Sequence, residues 1–302
     1  MRIMQKRTYT KLMLSIIIIS LLITPIVPAS AKRYKKNDKI TEHQLAYNVI
    51  RFEEKIPLTL DGSAYGIEIP EGAYYTVNVY GIDVGPGVIL IDCGDESMAK
   101  DLYKSVRKAF KKPVLAVYLT HGHADHAGGG SYFQKKHVPI FASVYEFELI
   151  EDGASSPYYE SPEMFLYTGY TPDFTYEELP LWCGFDYEYA PGHTMGHLVL
   201  SYENWHNSYV FTGDVIIEQP TTDPLDFTFT TSWFTALILY QLTPIYDFIA
   251  DWQVTLTDMY TLVPNYEIVC PGHGSEYSSD DAAGYIWFTS YVLGEFSDPP
   301  SI

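Results

Sequence analysis

The chain has 302 residues, with 19 Lys or Arg against 38 Asp or Glu and a formal charge of −19. Such a surface stays soluble and repels polyanions, which weighs against a protein that must grip a phosphate backbone with basic side chains. With 47% hydrophobic residues and three cysteines, a chain of this size buries an adequate core without a disulfide framework.

The N-terminus carries Arg2, Lys6, Arg7 and Lys11, then the apolar run Leu12 to Ile23, then Ala29-Ser30-Ala31. A basic stretch, an apolar stretch and an A-x-A site predict a secretory signal peptide over residues 1–31, cut after Ala31. The apolar run falls short of the roughly 20 residues that a membrane span needs. The expectation is therefore a secreted, cell-envelope or periplasmic protein that meets a membrane only through its signal peptide. Its mature chain holds 15 Lys plus Arg against 38 Asp plus Glu. Residues 32–66 read as a separate N-terminal segment, lysine-rich at Lys32 to Lys36 and without assigned elements. Residues 67–302 read as the main domain.

In that domain, strands are predicted at Ala73 to Tyr80 and Val88 to Ile91, joined by the turn Gly85-Pro86-Gly87. Ser97 to Phe110 places Met98, Leu102, Val106 and Phe110 at helical spacing. Val114 to Leu119 reads as a strand, and helices follow from Ser131 and from Val144 to Ile150. Phe185 to Tyr189, Tyr209 to Phe211 and Tyr266 to Val269 are further strands. Asp251 to Leu262, with Trp252, Leu256, Met259 and Leu262 facing inward, and Ala282 to Leu293 read as the last helices. The alternation of strand and helix is the α/β pattern. Cys93 and Cys270 end apolar strands and read as core residues, whereas the role of Cys183, the odd cysteine, stays open.

Four strand ends carry side chains suited to metal ions. The first is Thr120-His121-Gly122-His123-Ala124-Asp125-His126-Ala127-Gly128-Gly129. Residues two apart do not share a helix face, but on an extended turn His121 and His123 can reach one ion. Pro191-Gly192-His193-Thr194-Met195-Gly196-His197, Thr212-Gly213-Asp214 and Cys270-Pro271-Gly272-His273 follow. Each sits past a strand beside Gly or Pro, where a loop can aim a side chain while the sheet holds it still. A catalytic zinc takes about three protein ligands, so this density points to two ions.

On these motifs, from about Ala73 to Tyr291 and including Val88 to Gly94, the chain resembles the metallo-β-lactamase superfamily. The resemblance implies a four-layer αββα sandwich. It also implies one ion on His121, His123 and His193, a second on Asp125, His126 and His273, and Asp214 bridging both. This all-His/Asp set is similar to that of the glyoxalase II, lactonase and general-hydrolase branches. The ions implied are divalent, zinc first, with iron or manganese as alternatives.

Two such ions can share a water and lower its pKa, so the bridging hydroxide is the expected nucleophile, with Asp125 as the proton carrier. The expected activity is hydrolysis of a small acyl substrate, an ester, lactone, thioester or β-lactam, and nucleic acid is not expected as a partner. The alternative is a mono-iron oxidoreductase like the persulfide dioxygenases. Asp92 is expected either to orient a ligand histidine or to cap the helix that follows, and His197 to stay outside the ligand set. The aromatic-rich segments 153–184 and 218–240 are expected to form an apolar wall over the site, with core packing as the competing reading.

Overall fold

A computed structural model describes residues 39–57, 74–154, 166–178, 181–182, 184–216 and 246–297, all within the second of two compact units, 37–302. The expected signal peptide, Cys183 and the segment 218–240 lie outside the described residues.

A seven-stranded sheet runs in sequence order: β1 (Ile40–Ala46), β2 (Val49–Pro57), β3 (Tyr74–Asp83), β4 (Val88–Ile91), β5 (Val114–Tyr118), β6 (Ile140–Ala142) and β7 (Phe174–Thr175). Its strands pair antiparallel up to β4 and parallel from β4 onward. A second sheet of five strands holds β8 (Phe185–Tyr189), β9 (Leu198–Glu203), β10 (Ser208–Gly213), β11 (Ile268–Pro271) and β12 (Tyr277–Ser278), in the order β12-β11-β10-β9-β8.

Alternate side chains of the inner strands explain the layering. Val88 and Leu90 of β4 pack against Leu102 and Val106 of helix α1 (Ala99–Phe110) and against Phe133. Ile89 and Ile91 point the other way, onto Leu200, Phe211 and Cys270 of the second sheet. Such a strand is buried on both faces, so it reads as an unbroken apolar run. On the far side, Val199, Val210 and Val269 meet Trp252, Leu256 and Met259 of α3 (Tyr246–Leu262), and Ala282 and Ile286 of α4 (Ser279–Ser297). Helix, sheet, sheet, helix is the four-layer αββα sandwich. Cys93 and Cys270 are buried in these cores. Among the described residues, no helix is long and apolar enough to cross a membrane.

The sheet begins earlier than the sequence suggests. Residues 40–57, inside the segment left without elements, form β1 and β2 and pair continuously with β3, so the boundary expected at 67 does not separate them from the sheet. The cause lies in β2, where Arg51 and Glu54 are buried although both are ionisable. Arg51 Nε reaches Glu276 Oε1 at 2.9 Å, and its guanidinium donates to the Gly274 carbonyl. A buried cation supplied with acceptors is tolerable, but in the sequence it breaks the alternation that marks a strand.

Candidate metal centre

The ends of β5, β10 and β11 and the β8–β9 loop converge at one edge of the sandwich. Past β5 the chain runs through His121 and His123 into the single turn α2 (Ala124–Ala127), which carries Asp125 and His126. His193 stands in the β8–β9 loop, Asp214 follows β10 and His273 follows β11. Tight backbone packing requires glycine here: a Cβ on Gly272 would run into Asp214 Oδ1 and the His126 ring, and one on Gly129 into the Cys93 carbonyl.

All seven side chains expected as ligands are brought together. His123 Nδ1 lies 2.9 Å from His193 Nε2, and His121, His123 and His193 form one group of facing donor atoms. Asp125, His126 and His273 form another, with His126 Nε2 and His273 Nε2 at 3.4 Å and His273 Nε2 at 3.6 Å from Asp125 Oδ2. Asp214 reaches both: its Oδ2 is 3.4 Å from His193 Nε2 and 3.1 Å from His273 Nε2, and its Oδ1 is 3.2 Å from His126 Nε2. Ligand atoms about 2.0–2.1 Å from a tetrahedral ion stand about 3.4 Å apart. The donor set therefore fits divalent metal.

The second ring nitrogens are tied down, which fixes which nitrogen faces inward. His126 Nδ1 lies 2.7 Å from Asp92 Oδ2 and donates to it. His273 Nδ1 donates to the Thr76 carbonyl at 2.5 Å. Asp92 also accepts the Thr120 N–H at 2.7 Å and the Thr120 hydroxyl at 2.9 Å. With its proton committed to Asp92, Thr120 Oγ1 accepts from His121 Nδ1 at 3.0 Å. Each of these rings thus turns its Nε2, and not its Nδ1, toward the centre, as carboxylate-oriented metal histidines do. Of the two roles expected for Asp92, orienting a histidine is the one realised, since α1 starts after Met98 with no side-chain cap. Asp92 holds this place with φ 63°, a left-handed conformation that Asp tolerates better than most residues.

Charge divides the two groups. Burial and neighbouring imidazoles hold His121 and His193 well below the usual imidazole value. Burial acts in the same direction on His126 and His273, but Asp214 and Asp125 outweigh it and raise both. Burial alone would raise Asp214, yet His273 and His126 hold it well below the carboxylate range. His197 stays outside the donor groups: its Nε2 accepts the Asp214 N–H at 3.1 Å, and its ring stacks on His121 at 4.8 Å between centroids.

The family model of the metallo-beta-lactamase superfamily matches residues 74–273, the span that contains every one of these side chains. The chain belongs to the metallo-beta-lactamase superfamily. A probable metallo-hydrolase of Bacillus subtilis, YybB, is 33% identical over 47% of this chain and 62% of its own length. A metallo-beta-lactamase type 2 of Bacillus cereus is 30% identical over 27% of this chain and 30% of its own length. The chain therefore spans less than two thirds of these curated relatives. The solved structure of a metallo-beta-lactamase from Pontibacter korlensis has a TM-score of 0.59 at 15% identity, covering 85% of this chain and 99% of that one. That likeness concerns the fold.

Within this superfamily fold three tyrosines of the aromatic segment 153–184 do not stand as the expected wall. Tyr167 OH donates to the Gly122 carbonyl, Tyr170 OH to Ala127 and Tyr176 OH to Leu119, each at 2.8 Å. These buried tyrosines brace the metal loop, because a buried carbonyl needs a donor and a phenol supplies one together with apolar bulk.

Sequence reasoning also missed three supports. Trp252 was expected only as a core residue. Its Nε1 donates to the Val215 carbonyl at 2.8 Å, beside Asp214, and its ring meets His193 edge-on at 5.2 Å. Asn78 Nδ2 donates to the Pro271 and Gly274 carbonyls at 3.0 and 2.8 Å, on either side of His273. Glu146, buried at the end of a 3-10 turn (Val144–Glu146), accepts the Gly122 and Gly196 N–H groups at 2.7 and 2.6 Å. A single acid in an apolar turn has no spacing that sets it apart in the sequence.

Proposed function

We propose that this protein is a secreted hydrolase that holds two divalent ions, zinc first, and acts on a small acyl substrate: an ester, lactone, thioester or β-lactam. The observation that carries this reading is the position of Asp214, within 3.4 Å of donor nitrogens of both histidine groups. His121, His123 and His193 would hold one ion, Asp125, His126 and His273 the other, and Asp214 would bridge. Ions bound there supply Lewis acidity and a water whose pKa falls from about 15.7 to about 7.

The remaining work falls to the protein. Asp125 is the carboxylate placed to accept a proton at this centre and return it to the leaving group, and no serine or cysteine nucleophile is required. Cys93 and Cys270 are buried with pKa values pushed well above the usual thiol value, by burial first, so neither is an available thiolate. The acidic surface disfavours polyanionic substrates. Met195, exposed although apolar, stands in the His193 loop, and Tyr145, also exposed, packs beside Gly196. Both offer contact to an acyl chain.

The test combines metal analysis with a panel of nitrophenyl ester, lactone, thioester and cephalosporin substrates. Two divalent ions per chain with hydrolysis of one class is the expected result. One iron per chain with oxygen uptake on a persulfide would replace the hydrolase reading by an oxidoreductase.

A further inference from the structure

Glu146 contacts no expected ligand, yet it touches both loops that carry the three-histidine group. Its Oε2 takes the N–H of Gly122, the residue between His121 and His123. Its Oε1 takes the N–H of Gly196, three residues after His193. The approach is close enough to dictate both glycines. A Cβ on Gly122 would stand 2.9 Å from Glu146 Oε2, and one on Gly196 would stand 2.8 Å from Glu146 Oε1. The Gly122 carbonyl is held from the other side by Tyr167 OH, so the peptide linking His121 to His123 is fastened at both ends.

We propose that Glu146 is the positioning residue of the three-histidine subsite, a carboxylate staple that fixes the His121–His123 turn against the His193 loop. The inference rests on the two-ion reading above and names the group on which the geometry of one of the two ions depends. Geometry makes the assignment specific. His123 Nδ1 and His193 Nε2 come from separate loops and must meet 2.9 Å apart, and Glu146 is bonded to the backbone of both loops. The other subsite is supported elsewhere, by Asp92 on His126 and by Thr76 and Asn78 around His273. Loss of the staple should therefore be felt at one ion and not at both.

The experiment strips the full chain of metal by chelation and titrates it with Zn(II), and with Co(II) for its spectrum, in wild type and Glu146→Gln. Glutamine keeps the volume but offers one oxygen, and its NH2 faces an N–H on the other side. The expected result is a loss of about 10–100-fold in affinity for one ion, the range seen when a group orienting a metal ligand is removed. The second ion should bind within a factor of three of wild type. Gly196→Ala, whose Cβ would press from the other loop on Glu146 Oε1, Ser143 Oγ and Tyr145 Cβ alike, should give the same selective loss and decides the matter if Glu146→Gln does not fold. Wild-type affinity for both ions in these variants, or equal loss of both, overturns the staple. A wild-type chain that takes up fewer than two ions overturns the two-ion reading itself.

Discussion

The two halves of the metal centre are supported in different ways. His121, His123 and His193 are held below the usual imidazole value by burial and by neighbouring imidazoles of both halves, and their loops are pinned through backbone amides to Glu146. Asp125, His126 and His273 form a charged half, in which carboxylates draw protons onto the imidazoles and acceptors grip the outer ring nitrogens. A neutral set of donors needs only geometry, which a backbone staple supplies. A set that contains carboxylates carries its own charge, so before metal arrives, protons occupy part of its place. Asp214 belongs to both halves.

The largest effect should come from Asp214→Ala. Removing the proposed bridging side chain should lower metal content and hydrolysis together by 100-fold or more, above the roughly 10–100-fold of an orienting partner. Retained activity with two ions bound would show that Asp214 does not bridge. Next, Asp92→Asn should separate the halves. Asparagine offers donors where His126 Nδ1, Thr120 N and Thr120 Oγ1 already donate, so the second ion, whose His126 Asp92 holds directly, should weaken about 10–100-fold, and the first by a smaller factor, because Asp92 reaches His121 only through Thr120. Equal weakening, measured by zinc titration, would mean that the two halves are not independent.

The same division governs what could be read from the sequence. Five donors of the centre, His121, His123, His193, Asp214 and His273, stand past strand ends next to glycine, with Asp125 and His126 just beyond on α2, and a spacing such as His121-Gly122-His123 has few purposes other than metal binding. The apolar runs of β4, β5 and β10 are equally plain because both faces are buried. What the sequence hides is support exerted across long separations by residues of ordinary type. Glu146 acts on Gly196 and Asn78 on Gly274 through main-chain atoms, which leave no side-chain pattern. Arg51 and Glu54 are buried in β2 and disguise a strand as a polar segment. The tyrosines near 170 share their composition with a substrate wall, and only their hydrogen bonds reveal the brace.

Acidity sharpens the contrast. The pKa values of His126 and His273 are raised, so below those values an entering ion must displace their protons. Affinity for the second ion should therefore rise with pH by about tenfold per unit for each proton displaced, and level off above the raised values. The first ion, binding imidazoles already neutral, should show little such dependence. Parallel pH slopes for both ions would remove the distinction. Glu146 gives a smaller effect in the metal-free protein. Burial lifts its pKa from 4.5 to about 7, so the folded chain holds a proton that the unfolded chain has released. That contribution to stability is complete below pH 4.5 and is lost as pH rises toward 7, by up to about 1.4 kcal/mol per unit. Urea unfolding of Glu146→Gln should lack that slope, and an identical slope would assign it to other groups.

The smallest effect tests the brace itself. Tyr176 lies at the back of the metal loop, its ring against Phe141 at 6.3 Å and its hydroxyl on the Leu119 carbonyl, two residues before His121. Tyr176→Phe keeps the ring and removes one buried donor. The cost should be about 1 kcal/mol for a neutral hydrogen bond, nearer 3 if the Leu119 carbonyl finds no other partner. Because the hydroxyl faces the loop's main chain, both ions should bind as in wild type and the order of preferred substrates should not change. A residue of a substrate wall would behave in the opposite way, altering preference while leaving unfolding untouched. A changed response to acyl-chain length at unchanged stability would return Tyr176 to the wall. Lower stability with unchanged preference would make the segment around it part of the packing behind the whole metal loop.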